Sequence, residues 1–294
     1  MAGWRGEITL EITAELVKTL RDRTDAGMMD CKKALKETAG DLDAAVAYLR
    51  QKGLAVASKR AGRTAAEGCV WAHVSQDHRS GVLLEVNCES DFVAKTDSFQ
   101  ELGSRLAEQL AGAALETVDE LLAQGCPHAP GLQVADYLNE VIAKTGEKCL
   151  VRRFSRHGGG LVAAYIHHGG KIGVMLQLSG GDAAPEAYAA AKDLAMQVAA
   201  TNPLAVSREQ VPAETVSKEK AIYAAQAQES GKPPQIIEKM VVGRLEKFYK
   251  EVCLLEQPFV KNQEQTVSQF LQEVGKKMGK ELQVKGFSRF QVGV

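Results

Sequence analysis

Between residues 12 and 53 the apolar positions follow the helical period of about 3.6 residues. Ile12, Leu16 and Leu20 share one face of the stretch ITAELVKTLRDRT. A second helix is expected from near Asp30 through CKKALKE, ending before Gly40. A third follows Asp41, a good N-cap residue, and aligns Leu42, Ala45, Val46 and Leu49. Gly53 is read as its end. The link between the first two is Asp25-Ala26-Gly27-Met28-Met29, where Gly27 suits a tight turn. Such a three-helix unit has a thin core and is marginal alone. KGLAVASKRAGR, at 52–63, reads as a basic connector. It is either a solvated helix or linker, or a surface that meets an acidic partner.

From Gly68 the pattern changes to that of strands. CVWAHV and GVLLEVNC flank a hairpin connection at 75–80, and a helix with Phe99, Leu102, Leu106 and Leu110 on one side follows. Ser98 and Glu101 form a capping-box pattern for that helix. The layout returns as GLVAAYI, the turn HHGGK, IGVMLQL and an Ala- and Leu-rich helix near 186–200. Gly68 pairs with Gly160 and Gly81 with Gly173, both at an offset of 92. Aligned this way, 6 of 21 positions are identical, among them Val70/Val162, Ala72/Ala164 and Leu84/Leu176. Chance would give roughly one or two. Two related α+β subdomains are inferred; the convergence of two ordinary hairpins is the competing reading.

Residues 214–230 and 236–252 read as two helices joined by Gly231-Lys232-Pro233-Pro234. Two helices linked so tightly run antiparallel and project as an arm. The stripe Ile237, Met240, Val241, Leu245, Phe248 and Val252 is free to pack on its own chain or on another copy. A further helix over Val267–Met278 and a strand-like LQVKGFSRFQV, which would complete the second sheet, close the sequence. The fold class is α+β. Its expected parts are an N-terminal three-helix domain (10–54) and two related core subdomains with antiparallel strands (55–150, then 151–202 with 253–294). An inserted helical-hairpin arm spans 203–252.

Composition adds little that is specific. The 294 residues are 45% hydrophobic and 25% charged, with a formal net charge of -1. That balance gives no electrostatic footprint for nucleic acid or an anionic membrane. No stretch approaches the roughly 20 apolar residues that span a bilayer. The start MAGWRGEITLEIT has no apolar signal region, and its two acidic residues argue against a transit peptide. A cytoplasmic protein is expected. Cys31, Cys69, Cys88, Cys126, Cys149 and Cys253 are scattered without a C-x-x-C pair, as buried free thiols would be.

Catalytic patterns are missing. Gly231-Lys232 runs into Pro233 and Gly170-Lys171 into Ile172, so neither continues as a phosphate-binding loop. HGGG at 157–160 has no G-x-S-x-G partner and reads as a turn before a strand. His167-His168 lacks metal ligands at useful spacing. No enzyme activity, metal or cofactor is expected.

One segment stands apart. At offset 92, Asp91, Phe92 and Val93 face Ala183, Ala184 and Pro185, so only the first copy carries an acid and a large aromatic at this junction. Ser90 is a candidate N-cap before them. Phe92 either plugs its own core or protrudes as an anchor for a partner, a position where function concentrates.

ITAELVKTLRDRTDAGMMDCKKAL, GDLDAAVAYLRQKG, EVNCESDFVAK, SGKPPQIIEKMVVGRLEKF and QPFV, in order over roughly residues 10 to 292, resemble bacterial translation elongation factor Ts. The resemblance implies guanine-nucleotide exchange on elongation factor Tu, met in its GDP form and held nucleotide-free. It implies a ubiquitin-associated-like three-helix domain, a two-part core and a dimerising arm, so a homodimer through 203–252. In that family a T-D-F-V stretch enters the partner's G domain and dislodges its magnesium. Here it corresponds to Ser90, Asp91, Phe92 and Val93, with Ser keeping the capping hydroxyl. Further partner contacts map to Arg21, Met28, Met29, Gly146, His167 and Val260. From spacing alone, Met28 and Met29 read equally as core, Arg21 as a solvated charge, Gly146 as a helix stop and Val260 as core. The turn at His167 is one residue longer than in some relatives. Many relatives continue past this last strand into a helix that touches the partner; the sequence here stops at RFQVGV, so that contact is expected to be absent. The rival readings are a protein-binding adaptor built on the three-helix domain, and an enzyme with an unrecognised site.

Overall fold

The computed structural model describes residues 12–24, 26–181, 184–229 and 231–294. These described residues form a mixed α/β protein with eleven α-helices and antiparallel sheets. Residues 10–11 of the expected first domain, Asp25 of the expected turn, Ala183 and Ser230 lie outside the described residues.

Three helices come first: α1 (Ala14–Thr24), α2 (Met28–Glu37) and α3 (Leu42–Arg60). Val17, Leu20, Cys31, Ala34, Leu35 and Ala45 form their core, with Ile12, Leu16, Leu42, Val46 and Leu49 packed against it. The Asp41 carboxylate caps α3, accepting from the amides of Asp43 and Ala44 at 2.9 Å each. Two expectations are corrected. Helix α2 begins at Met28, so both methionines stand in its first turn. Gly53 does not end α3, which runs on to Arg60 through most of the basic connector. A Cβ at Gly53 would sit 3.2 Å from Ala143 Cβ, so the glycine permits close helix packing. Tertiary contact has overridden its weak helix propensity.

The first hairpin is β1 (Glu67–Val74) and β2 (Ser80–Cys88). A single-turn helix α4 (Asp91–Ala94), α5 (Asp97–Gly112), α6 (Val118–Ala123), α7 (Val134–Thr145) and β3 (Cys149–Gly158) follow. The sheet order is β1-β2-β3. Helix α5 carries the expected apolar face: Phe99, Leu102, Leu106 and Leu110 are all buried. Its N-cap is Thr96 rather than Ser98, because Thr96 first closes the α4 turn through Val93 O. Helix α6 and strand β3 carry patterns too short or too charged to read from periodicity, whereas α7 does follow the helical period, with Val134, Leu138, Val141 and Ile142 buried on one face.

The second hairpin, β4 (Leu161–His167) and β5 (Ile172–Ser179), leads to α8 (Pro185–Thr201). Then come α9 (Ala213–Gln228), α10 (Pro234–Val252), β6 (Pro258–Phe259), β7 (Asn262–Thr266), α11 (Val267–Met278) and β8 (Gln283–Gln291). Strand β8 completes the sheet, pairing antiparallel with β5 from Ile172↔Gln291 to Ser179↔Gln283 with a bulge at Gln177/Leu178. Helices α9 and α10 pack on each other. At their base the Arg208 guanidinium donates to Glu246 and Glu256 and lies 4.6 Å over the Tyr249 ring. Along α10 only Val241 and Phe248 of the expected stripe are fully buried.

Two compact units emerge. Among the described residues, one comprises those up to Cys69, Glu85–Arg153 and Gly293; the other comprises Val70–Leu84, those from Phe154 to Val292, and Val294. Inside the second, the repeat-matched residues meet reciprocally. Val70, Leu83, Val162 and Met175 share a core with Phe290. A Cβ on Gly81 would come 2.9 Å from Met175 Cε, and one on Gly173 would come 2.4 Å from Val70 Cγ1. These glycines are identical in both copies because each faces the other hairpin too closely for a side chain. All six cysteines are buried thiols outside any disulfide. Burial pushes the Cys149 thiol up to about 12 and the Cys253 thiol up to about 11, far from a reactive thiolate. Among the described residues no helix is long and apolar enough to cross a membrane.

Candidate functional site

Strand β2 is buried from Gly81 to Cys88, and the chain surfaces just beyond it. Ser90 there takes an extended conformation (φ -128°, ψ 157°), and its Oγ accepts from the Val93 amide at 3.3 Å. That is N-cap geometry, and it starts α4. A four-residue helix is far below the length at which helices hold alone in water. Local bonds from the residues that follow satisfy its C-terminal end instead. The Val93 carbonyl accepts from the Thr96 amide at 3.0 Å and from the Thr96 hydroxyl at 2.8 Å. The Ala94 carbonyl accepts from Gln100 Nε2 at 2.6 Å. Val93 and Ala94 are buried beneath the turn.

Phe92 is the exception, 80% exposed. It plugs no core of this chain, which closes one of the two readings open from the sequence. Asp91, beside it, pairs with Lys95 at 2.7 Å, and this contact holds the Lys95 ammonium above its ordinary range. An exposed i,i+4 pair of this kind contributes little stability. The turn is rigid below and apolar above.

Two glutamates that sequence reasoning missed hold this turn in place. The Glu147 carboxylate accepts the Ser90 amide at 2.9 Å through one oxygen and the Ser90 hydroxyl at 2.6 Å through the other. Glu89 accepts the Lys148 amide at 2.7 Å, and Arg63 and Arg60 pair with it at 3.0 and 3.5 Å. The Lys148 amide first, then the guanidiniums of Arg63 and Arg60, hold the Glu89 carboxyl below its ordinary range. The Lys148 ammonium donates to the carbonyls of Ala61 and Arg63. Glu147 lies 57 residues from Ser90, so no local pattern signals the contact.

The other expected residues fall in separate places. Arg21 is exposed in the last turn of α1, and Met28 and Met29 are 60% and 75% exposed at the start of α2, so neither methionine is core. Gly146 is the left-handed C-cap of α7 (φ 70°) and turns the chain so that Glu147 follows at once. It therefore belongs with the Ser90 cluster. His167 ends β4, half-buried, its Nδ1 hydrogen-bonded to Tyr165 Oη at 2.8 Å. Val260 is 41% exposed at the β6–β7 turn. Its amide donates to Gln197 Oε1 at 2.7 Å; Gln197 is itself buried and bonded to Gln257 and Pro258. Val260 is thus an exposed side chain on a fixed backbone.

Fold and site together define a binding protein: small rigid turns on an α/β scaffold, each lifting an apolar side chain into solvent. A family model described as elongation factor TS matches residues 89–294. Elongation factor Ts of Clostridium perfringens (strain SM101 / Type A) is 49% identical over 284 residues, covering 96% of this chain and 93% of that protein. Elongation factor Ts of Clostridium botulinum (strain Alaska E43 / Type E3) is 46% identical over 284 residues, with the same coverage of both chains. The chain belongs to the elongation factor Ts family, whose members are factors of translation elongation in protein biosynthesis.

Proposed function

We propose that this chain is the guanine-nucleotide exchange factor for an elongation factor Tu. The observation that carries the reading is Phe92, exposed at the tip of a capped, braced single-turn helix. The Tu partner in its GDP form holds nucleotide and Mg²⁺ in a phosphate cradle. Phe92 wedges between partner helices, and Asp91 disturbs the region that holds the ion. GDP leaves, the nucleotide-free complex persists, and GTP rebinds. No covalent bond changes, so the activity is coupled binding rather than chemical catalysis. By linkage, the factor weakens nucleotide binding by the same ratio as nucleotide weakens the factor. A typical coupling of about 1–3 kcal/mol corresponds to about 5–150-fold.

Arg21, Met28 and Met29 on the three-helix domain, read as ubiquitin-associated-like, supply a second contact. Gly146, His167 and Val260 supply further ones. The domain limits 10–54, 55–150, 151–202 with 253–294, and 203–252 are proposed as the functional division. The arm is proposed as a homodimer contact, and the protein as cytoplasmic. Neither nucleic acid nor membrane enters the scheme.

The test is release of mant-GDP from the cognate Tu in stopped flow. Burying one Phe is worth about 1.5–3 kcal/mol, so Phe92→Ala is expected to slow stimulated release about 10- to 100-fold. Release as fast as with the parent protein would sink the proposal.

A further inference from the structure

We infer that Glu147 is a positioning residue for exchange: its carboxylate clamps the Ser90 turn so that Phe92 is presented ready-made. The inference rests on the exchange reading above. The geometry is reciprocal. Two Glu-X pairs, Glu89-Ser90 and Glu147-Lys148, face each other. The amide of each X donates to the glutamate of the other pair, Ser90 to Glu147 at 2.9 Å and Lys148 to Glu89 at 2.7 Å. Both links are charge-assisted bonds to carboxylates, the stronger class. They tie the β2–α4 junction to the α7–β3 junction, at the end of β2 and the start of its sheet neighbour β3.

Glu147 makes one bond more than Glu89 does to the opposing pair. Its second oxygen takes the Ser90 hydroxyl proton at 2.6 Å. That fixes the hydroxyl rotor with its lone pairs free to accept the Val93 amide at 3.3 Å. One side chain therefore sets both the backbone entry angle of α4 and the orientation of its cap. Two positive groups, Arg60 and Arg63, stand on Glu89 and offset the repulsion between the neighbouring carboxylates. Gly146 supplies the left-handed turn that brings Glu147 to the junction. A clamp of this kind lowers the ordering cost of inserting the anchor, so it acts on the release step within the complex.

The experiment combines Glu147→Ala with Phe92→Ala in full-length protein, reading mant-GDP release at saturating factor. Loss of a two-point bond to a charged group is expected to slow release about tenfold in the parent background. In the Phe92→Ala background the slowing is expected to be much smaller, because only Asp91 is then left for the clamp to place. An equal slowing in both backgrounds overturns the clamp, since a general loss of fold would be blind to Phe92. Amide exchange by NMR is the second readout. Ser90 and Val93 should exchange faster in Glu147→Ala, while β2 and β5 amides keep their protection. No acceleration at Ser90 and Val93 overturns the inference. A silent Phe92→Ala variant overturns the exchange reading instead, and the amide readout still decides the clamp. Glu147→Gln, which keeps volume and one carbonyl acceptor, carries the same tests should the alanine variant not fold.

Discussion

At an offset of 92 residues, β2 of the first repeat and β5 of the second run into junctions built in opposite ways. After β2 the chain carries side chains outward: Glu89 to its clamp, Phe92 to solvent. After β5 come two glycines with no room for a side chain. Gly180 has φ 86°, and a Cβ there would fall 1.8 Å from the Glu281 carbonyl oxygen. Gly181, the counterpart of Glu89, would place a Cβ 2.5 Å from Ala187. The helix that follows is one unbroken rod, α8, where the first copy breaks into α4 and α5. The two hairpins are constrained where they face each other, and there Val70/Val162 and Gly81/Gly173 are alike. The junctions are constrained only by their own surroundings, and one has become packing while the other has become a projecting turn.

The sharpest way to break this contrast is to give the first junction the residue of the second. Phe92→Ala does so, since Ala184 is its counterpart, and carries the largest expected effect, the 10- to 100-fold slowing of stimulated GDP release estimated above. The protein should keep its denaturation midpoint, because an exposed ring supports no core. The converse change loads the second junction. Gly180→Ala forces a methyl into a backbone oxygen at positive φ, and overpacking of this kind costs about 1–3 kcal/mol. Urea denaturation should show a lowered midpoint, while GDP release scaled to folded protein stays at the parent rate.

Ser90→Ala is milder. It removes the cap and the hydroxyl bond to Glu147, and cap losses run about 0.5–2 kcal/mol. Ser90→Thr should restore release to near the parent rate, because the hydroxyl returns. The smallest effect is one of pH. The Glu89 carboxyl is held below its ordinary value of 4.5 by the Lys148 amide, then by Arg63 and Arg60. A depressed carboxyl contributes its stability in full above the ordinary value and loses it as pH falls through the depressed one. Denaturation midpoints should therefore fall more steeply with acidification below about pH 4.5 in the parent than in Glu89→Gln. Equal slopes would remove Glu89 from the bracing of the turn.

Much of the fold was legible because its signals are local. Asp41 caps α3, Phe99 to Leu110 line α5, and Val267–Met278 is a helix to the residue. The repeat at offset 92 was legible because identical residues do identical packing. What escaped was set by distance along the chain. Gly53 reads as a stop, yet close packing on Ala143 of α7, far along the chain, accompanies the continuation of α3 through it. Ser98 reads as a cap, yet Thr96 already serves the preceding turn. Glu147 carries no motif at all.

The acid–aromatic pair at 91–92, its capping serine and its absence from the sister copy are properties of the sequence by itself. So are the two hairpins and the helical pair after them, because periodicity and turn residues encode short-range geometry. Whether Phe92 points in or out was open until the fold was in place, since the same spacing suits a core plug and an anchor. Tertiary structure decided it: Val93 and Ala94 fill the space beneath the turn, Glu147 fixes its entry, and the ring is left in water.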